Sequence, residues 1–313
     1  MPAGLSAIEY LAASVNNSDG VTSSHWLKYH SSFKFTGNGF EGLQGFGGHG
    51  KPYVGLSLID NLMQIPFRKL GGGHFNHVDN LARQITKKQN RRYDLDVLRQ
   101  ALTISYLHDA VPNLFSNKAV GCVIGDGFAS MTSLLIASKS AGKIVLINLA
   151  KTLLVDLWYL KLWMGDKFFD NSVQLVGNKE ELKSAFDAPD GVGVKIIAIE
   201  ASKHELLCYA PVDFAINVAS MQEMNPSVIA GYFDDLRSIA KNKKIFFYCS
   251  NREEKSLPDG TIVKFAEYPW KKDDQVIFEG LCPWHQRFYC LSPPFYREYD
   301  GSTMHKLIQL SGC

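Results

Sequence analysis

The residues with the clearest capacity for chemistry lie in one short run, Val123-Ile124-Gly125-Asp126-Gly127-Phe128-Ala129. It follows an apolar, strand-like stretch (Ala119 to Ile124) and opens a helix-like one (Phe128 to Ser138). Glycines at such a junction let the backbone turn tightly and approach a ligand closely, and the helix start offers free N–H groups. Steric need alone also places glycine in strand-to-helix turns, so the run by itself leaves both readings open. One strand-helix-strand unit further on, Asn148 closes the run Lys143 to Asn148. In nucleoside-binding α/β folds the residue at that tip meets the ribose hydroxyls and is usually Asp or Glu. An amide still donates and accepts hydrogen bonds, and the competing reading is a cap on the next helix. Two cofactor classes use such a turn. A dinucleotide wants a third glycine, where this chain has Ser130; S-adenosylmethionine, which has no phosphate, needs only the first turn.

A doubly wound sheet places its cleft beyond the C-terminal ends of its strands, which predicts further candidates. Glu200 and His204 follow the Val194–Glu200 run, Ser220 and Glu223 follow Phe214–Val218, and Asn251 and Arg252 follow Ile245–Cys249. His285 stands in a late loop. Each has a structural alternative. Glu200 can sit at a ribose or adenine, and Glu223 can face the N-terminus of the helix opening at Pro226. Asn251 and Arg252 can form a solvated turn, and either histidine can be an ordinary one. His74 and His77 are spaced i, i+3 with no third ligand in sight, so no metal site is predicted. Gly47-Gly48-His49-Gly50 and Gly71-Gly72-Gly73-His74 read as mobile lids or as merely permissive loops. Trp158, Trp163, Phe168 and Phe169 read as packing. The helix Thr152 to Trp163 is apolar on most sides, hence internal or dimer-facing.

The elements that position these residues divide the chain in two. Residues 1–115 read as a mostly helical region, a substrate cover or an oligomerisation unit. Ser6 with Glu9 suggests a capping box on a first helix to Ala13. Further helices are predicted over Tyr53–Met63, ended or kinked by Pro66, over His77–Gln89 and over Leu95–Leu107. From 116 to 313 short apolar runs alternate with helical ones (Thr152–Trp163, Pro226–Ala240), which means a parallel sheet covered on both faces. The predicted class is α/β, a doubly wound Rossmann-like sheet, with residues 261–313 supplying an antiparallel edge.

Composition sets the limits. The 313 residues are 46% hydrophobic and 20% charged, a globular balance. Thirty-three Lys+Arg against 31 Asp+Glu leave a net charge of +2, too little to grip a phosphate backbone, so nucleic acid is not expected as a partner. No apolar run reaches a membrane span, and Met1 to Asn16 makes a poor signal peptide. Six scattered cysteines without a CxxC pair suggest reduced thiols in a cytoplasmic protein.

Several segments in order along the second half resemble the sugar O-methyltransferase family of class I S-adenosylmethionine-dependent enzymes. They are Ala119 to Ala129, Ile147 to Ala150, Phe214 to Met224 and Phe246 to Arg252, within a resemblance that spans roughly 115–290. The Asn217 to Met224 and Tyr248 to Arg252 segments are the most specific. The resemblance implies a methyltransferase sheet with a cofactor seat at Gly125, Asp126, Gly127, Phe128, Asn148 and Leu149, and with Asn217 and Ser220 beneath the methionine part. Asp126 is expected to face solvent. The resemblance further implies a sugar-like acceptor near Glu223, Arg252 and His285, the candidate catalytic residues, and a homodimer is the oligomer expected. Three positions depart from the pattern: Val123 and Asn148 stand where the family carries acidic residues, and Ala129 replaces its third glycine. A non-catalytic homologue acting as a binding or assembly partner therefore remains an alternative, as does a nicotinamide-dependent oxidoreductase, although no hydride-transfer pair is visible.

Overall fold

Strand residues that are apolar on both faces must be covered on both faces, and here they build one eight-stranded sheet. In the computed structural model, residues 2–14, 21–45, 54–187 and 193–312 are described; side chains of 54–57 are not. The Gly47–Gly50 loop and the expected helix start at Tyr53 lie outside the described residues. The strands are β1 (Val120–Ile124), β2 (Lys143–Asn148), β3 (Val173–Val176), β4 (Ile196–Glu200), β5 (Phe214–Val218), β6 (Phe246–Arg252), β7 (Gln275–Leu281) and β8 (Thr303–Gln309). Their spatial order is β7-β8-β6-β5-β1-β2-β4-β3. The six from β3 to β6 are mutually parallel. Strand β8 runs antiparallel to β6, and β7 antiparallel to β8, which is the antiparallel edge expected of the last fifty residues. The winding reverses between β1 and β5, so the crevice of this α/β sheet opens at the C-terminal ends of those two strands.

Alternate residues feed two core layers. Val123, Ile144, Leu146, Ile196, Phe214 and Tyr248 point to one face, and Cys122, Ile124, Val145, Ile147, Ala215 and Phe247 to the other. The first face is covered by α1 (Gly4–Ser14), α4 (Phe75–Lys88), α5 (Leu95–Ala110), α6 (Ser130–Ala137) and α7 (Ala150–Met164). Between α1 and α4 lie α2 (Ser24–His30) and α3 (Val54–Met63), and α8 (Asp166–Ser172) leads from α7 to β3. The second face is covered by α9 (Lys179–Asp187), the helical turns Ala201–Tyr209 and α10 (Pro226–Ala240). Core residues of the first layer come from both sides of residue 115, so the N-terminal helices share a core with the sheet. Among the described residues no helix is long and apolar enough to cross a membrane, and Cys122, Cys208, Cys249, Cys282 and Cys290 are free.

Several local expectations change. Helix α1 begins at Gly4, which places Ser6 inside it, so the capping box does not form. The helix start is capped from outside, by Asp170 of α8, whose carboxylate accepts from the Leu5 N–H at 2.6 Å. Helix α3 stops at Met63, as expected, and Pro66 is the second residue of the short helical turn Ile65–Arg68 that follows, where its missing N–H costs nothing. Helix α6 starts at Ser130, two residues late, because Phe128 and Ala129 both adopt left-handed backbone (φ 57° and 48°). Helix α7 is internal rather than dimer-facing, since Leu153, Leu154, Val155, Leu157 and Leu160 are fully buried and α1, α4 and α8 lie against it.

The C-terminal edge is locked by one buried ion pair. Arg237 of α10 donates Nη1 to Asp274 Oδ1 at 2.6 Å and Nη2 to Oδ2 at 2.8 Å, with both side chains 1% exposed. Burial alone would raise the Asp274 carboxyl, but bonds from Arg237 and from the Lys271 and Ser311 N–H groups hold it well below the usual carboxylate range. Its contribution to stability is therefore present above the unfolded-chain pKa and is lost as pH falls below it. Asp274→Ala leaves an unpaired buried guanidinium and is expected to lower the unfolding free energy by about 3–5 kcal/mol in urea titrations at pH 7.

Candidate functional site

The turn after β1 carries the site. Gly125 (φ 68°), Gly127 (76°), Phe128 and Ala129 all have positive φ. Only glycine suits the first position for a second reason: a Cβ there would come within 2.3 Å of Ser220 Oγ. Non-glycine residues in this region cost of order 1–3 kcal/mol each, so the surroundings must hold them. Asp126 does so by turning inward. Its carboxylate accepts from Met131 N (2.8 Å) and Thr132 N (2.7 Å), capping α6, so it does not face solvent as the sequence suggested. Ala129 N donates to Asp156 Oδ1 (2.9 Å) on α7. The Phe128 ring lies under the Arg91 guanidinium, 4.1 Å from its centroid, and edge-on to Tyr159.

From below, Asn217 Nδ2 (2.8 Å) and Ser220 Oγ (3.0 Å) both donate to the Ile124 carbonyl. Asn217 Oδ1 accepts from Asn251 Nδ2 (2.8 Å), and Asn251 Oδ1 accepts from Gln222 N (3.0 Å). Asn217 and Asn251 are fully buried. Asn217, expected under the methionine part, therefore supports the turn and does not line the cleft; Ser220 does line it. Asn148 reaches the cleft rim, but its amide is committed: Nδ2 donates to Asp156 Oδ2 (2.8 Å) and Oδ1 accepts from Leu149 N (3.0 Å). Burial drives the Asp156 carboxyl well above its ordinary range, reinforced by Asp126; burial likewise pushes Asp126 up to about 6.

Two cavities open here and share Asp96, Arg99, Gln222, Glu223 and His285. The first, about 240 Å3, is floored by Gly125 to Phe128 and walled by Leu149, Val218, Met224 and Val228. Four buried polar atoms of its lining residues lack a partner: Arg91 Nε, Gln100 Oε1, Thr152 Oγ1 and His285 Nδ1. The second, about 750 Å3, is lined by His25, Lys28, Arg252, Lys255 and Tyr299 besides the shared residues. Glu223 lies between the two, bonded by Lys255 Nζ at 2.8 Å, with His25 Nε2 at 3.4 Å. Burial raises its carboxyl, partly offset by Lys255. His285 also faces both cavities, with Nδ1 unpartnered. Burial, with Arg99 and Arg252 nearby, depresses its imidazole well below the ordinary value, so the ring is neutral.

Other candidates fall elsewhere. Glu200 sits at the tip of β4, level with Asn148 in the register, and is not among the residues lining either cavity. His204 is held by Asp235 (2.5 Å), which raises its pKa, and lines neither cavity. His74 bonds Asp109 (2.9 Å) and stacks on His108. Among the described residues no group of three or more His, Cys, Asp or Glu could hold a metal ion. Sequence reasoning missed Arg91, Asp156 and Arg99. Only Asp156 left a trace, as an acid inside the apolar stretch Leu153 to Leu157.

No family model matches the chain, and no curated protein does. Solved structures do. Coclaurine N-methyltransferase, bound to N-methylheliamine and S-adenosylhomocysteine, is 9% identical, with 83% of this chain and 95% of that one covered at a TM-score of 0.40. Magnesium protoporphyrin IX methyltransferase from Synechocystis PCC 6803, also with S-adenosylhomocysteine, is 12% identical over 82% and 99%, at 0.38. TrmK from M. capricolum, again with S-adenosylhomocysteine, is 12% identical over 66% and 68%, at 0.34. The fold itself rests on the strand order given above.

The amide at 148 has a defined structural duty. Asn148→Asp would set a second carboxyl against Asp156, and the pair would bind protons more tightly folded than unfolded. Its cost should be about 1–3 kcal/mol at neutral pH, shrinking as pH falls and growing as it rises, read from urea unfolding at pH 5, 7 and 9.

Proposed function

We propose that this chain is an S-adenosylmethionine-dependent O-methyltransferase whose acceptor is a hydroxyl of a sugar or sugar-bearing small molecule. The observation that carries the reading is the first cavity. It stands at the switch point of the sheet, floored by a left-handed glycine turn, and one buried cation beside it has an uncommitted N–H. A donor of this kind fits those residues: Arg91 suits its carboxylate, and Leu149, Val218, Met224 and Val228 suit an adenine. When bound, the donor supplies an electrophilic methyl group on a sulfonium.

The chain's own residues do the rest. His285, neutral and with a free ring nitrogen, takes the proton from the acceptor hydroxyl as the oxygen attacks. Glu223 anchors Lys255 and His25 around the acceptor. Arg252 lines the acceptor side. His25, Lys28, Arg91, Asp96 and Arg99 all belong to the N-terminal 115 residues, which supports a role for that region as acceptor cover. The reading places the enzyme in the cytoplasm, where its free thiols stay reduced.

A second reading has an observation of its own. The Asn148 amide is spent on Asp156 and Leu149, which leaves no acidic acceptor for a ribose at the tip of β2 and favours a homologue that has lost the donor. Calorimetry decides between them. S-adenosylhomocysteine should bind one to one, and Gly127→Val should abolish that heat while urea unfolding stays cooperative. No heat at millimolar ligand sinks the enzymatic reading. In turnover, His285→Gln should lower kcat by roughly 10²–10⁴-fold. Because burial, Arg99 and Arg252 keep the imidazole unprotonated, the parent rate should hold level through pH 6.5 and fall only at more acid pH.

A further inference from the structure

We propose that the second cavity is a subsite for an oxyanion, so that the acceptor is an acidic sugar bearing a carboxylate or a phosphate. The inference deepens the reading above and rests on the first cavity being the donor site.

The charges in the second cavity do not cancel. Four cations line it: Lys28, Arg99, Arg252 and Lys255. Two of them have carboxylate partners, Lys255 with Glu223 and Arg99 with Asp96, each at 2.8 Å. Arg99 is further committed to the Trp284 and Arg287 carbonyls. Lys28 and Arg252 form no ion pair among the described residues. Arg252 spends Nη1 on the Asp300 carbonyl (3.0 Å) and rests its guanidinium 5.5 Å from the Tyr299 ring centroid. The remainder of its fork is the donor set that suits a carboxylate or phosphate.

The surrounding histidines add no competing anion and no charge. Burial, Lys255 and Lys28 push His25 down to about 4, and His285 is neutral beside Arg99 and Arg252. The field at the cavity is therefore positive although the whole chain carries only +2. A neutral sugar would take up this space while desolvating Lys28 and Arg252 without compensation. A cavity of about 750 Å3 has the dimensions of a small-ligand site, and a near-neutral chain lacks the broad basic face a nucleic acid needs.

The test titrates the full-length chain, without donor, by calorimetry at low salt with glucose 6-phosphate, glucuronate and glucose. At least one of the two anions should bind, the stronger one naming the oxyanion, and glucose should give no heat at the same concentrations. Lys28→Gln with Arg252→Gln should weaken anion binding by roughly tenfold or more. Lys28→Arg alone, which keeps both the charge and the Arg252 fork, should keep most of it, with circular dichroism and urea midpoints matched to the parent. Glucose binding as tightly as the anions, no binding by any of the three, or full anion affinity in the double glutamine variant would overturn the proposal. S-adenosylhomocysteine is titrated separately. Anion binding by a chain that ignores it would sink the donor reading and spare the oxyanion site; the reverse would sink only the oxyanion site.

Discussion

Two consecutive non-glycine residues, Phe128 and Ala129, are held in left-handed backbone at the centre of this molecule, and most of the polar groups around them act to keep them there. The turn cannot relax into an ordinary helix start, because the groups that would cap one are already engaged. The Asp126 carboxylate holds the first free N–H groups of α6, and Asp156 holds that of Ala129. Below the turn the Asn217–Asn251 amide pair and Ser220 fix the Ile124 carbonyl. The turn is braced on the sides away from the cleft, and its remaining side floors the concavity at the switch point.

The sheet was legible in the sequence because its information is local. A strand covered on both faces reads as an unbroken apolar run, as in Lys143–Asn148 and Phe214–Val218, and both were found at their observed limits. Helix ends were less legible. The start of α1 depends on Asp170, which lies far along the chain, and the start of α6 depends on φ values that no propensity reveals at Phe128 and Ala129. The polar residues of the site divide on the same principle. Position at a strand end brought Glu223, His285 and Ser220 to the cleft, but the direction a short amide takes depends on its neighbours. Asn217 and Asn148 look like ligand contacts in sequence and serve as internal braces in the fold. Arg91 and Arg99 are invisible from sequence because they enter from helices and loops outside the sheet, and an arginine there ordinarily reads as surface.

The amide at position 148, one of the departures from the pattern the sequence resembles, has a physical cause. An acid at 148 would adjoin Asp156, which is fully buried and already pushed toward its neutral form with Asp126 close by. Three carboxyls in that space would repel one another, whereas an amide donates to Asp156 and relieves it. Asn148 and Asp156 thus form one unit. The negative group that the pattern puts at the strand tip stands here one helical layer deeper, where it holds the turn instead of facing a ligand.

Arg91 then becomes the element that joins backbone strain to recognition. Its guanidinium covers the Phe128 ring and bonds Ser130 and Gln89 through Nη1, so it braces the strained residue from above. Burial lowers its pKa while Asp94, Asp126 and Asp96 oppose the shift, so a cation is kept in a place where it is poorly solvated. A buried charge with an unpartnered N–H is stabilised by any anionic group that reaches it, and Arg91 is among the residues that line the cleft. The same side chain that steadies the turn therefore brings an unpartnered cationic N–H to its edge. Support of the turn and an unpartnered cationic N–H beside the cleft are, in this fold, features of one residue.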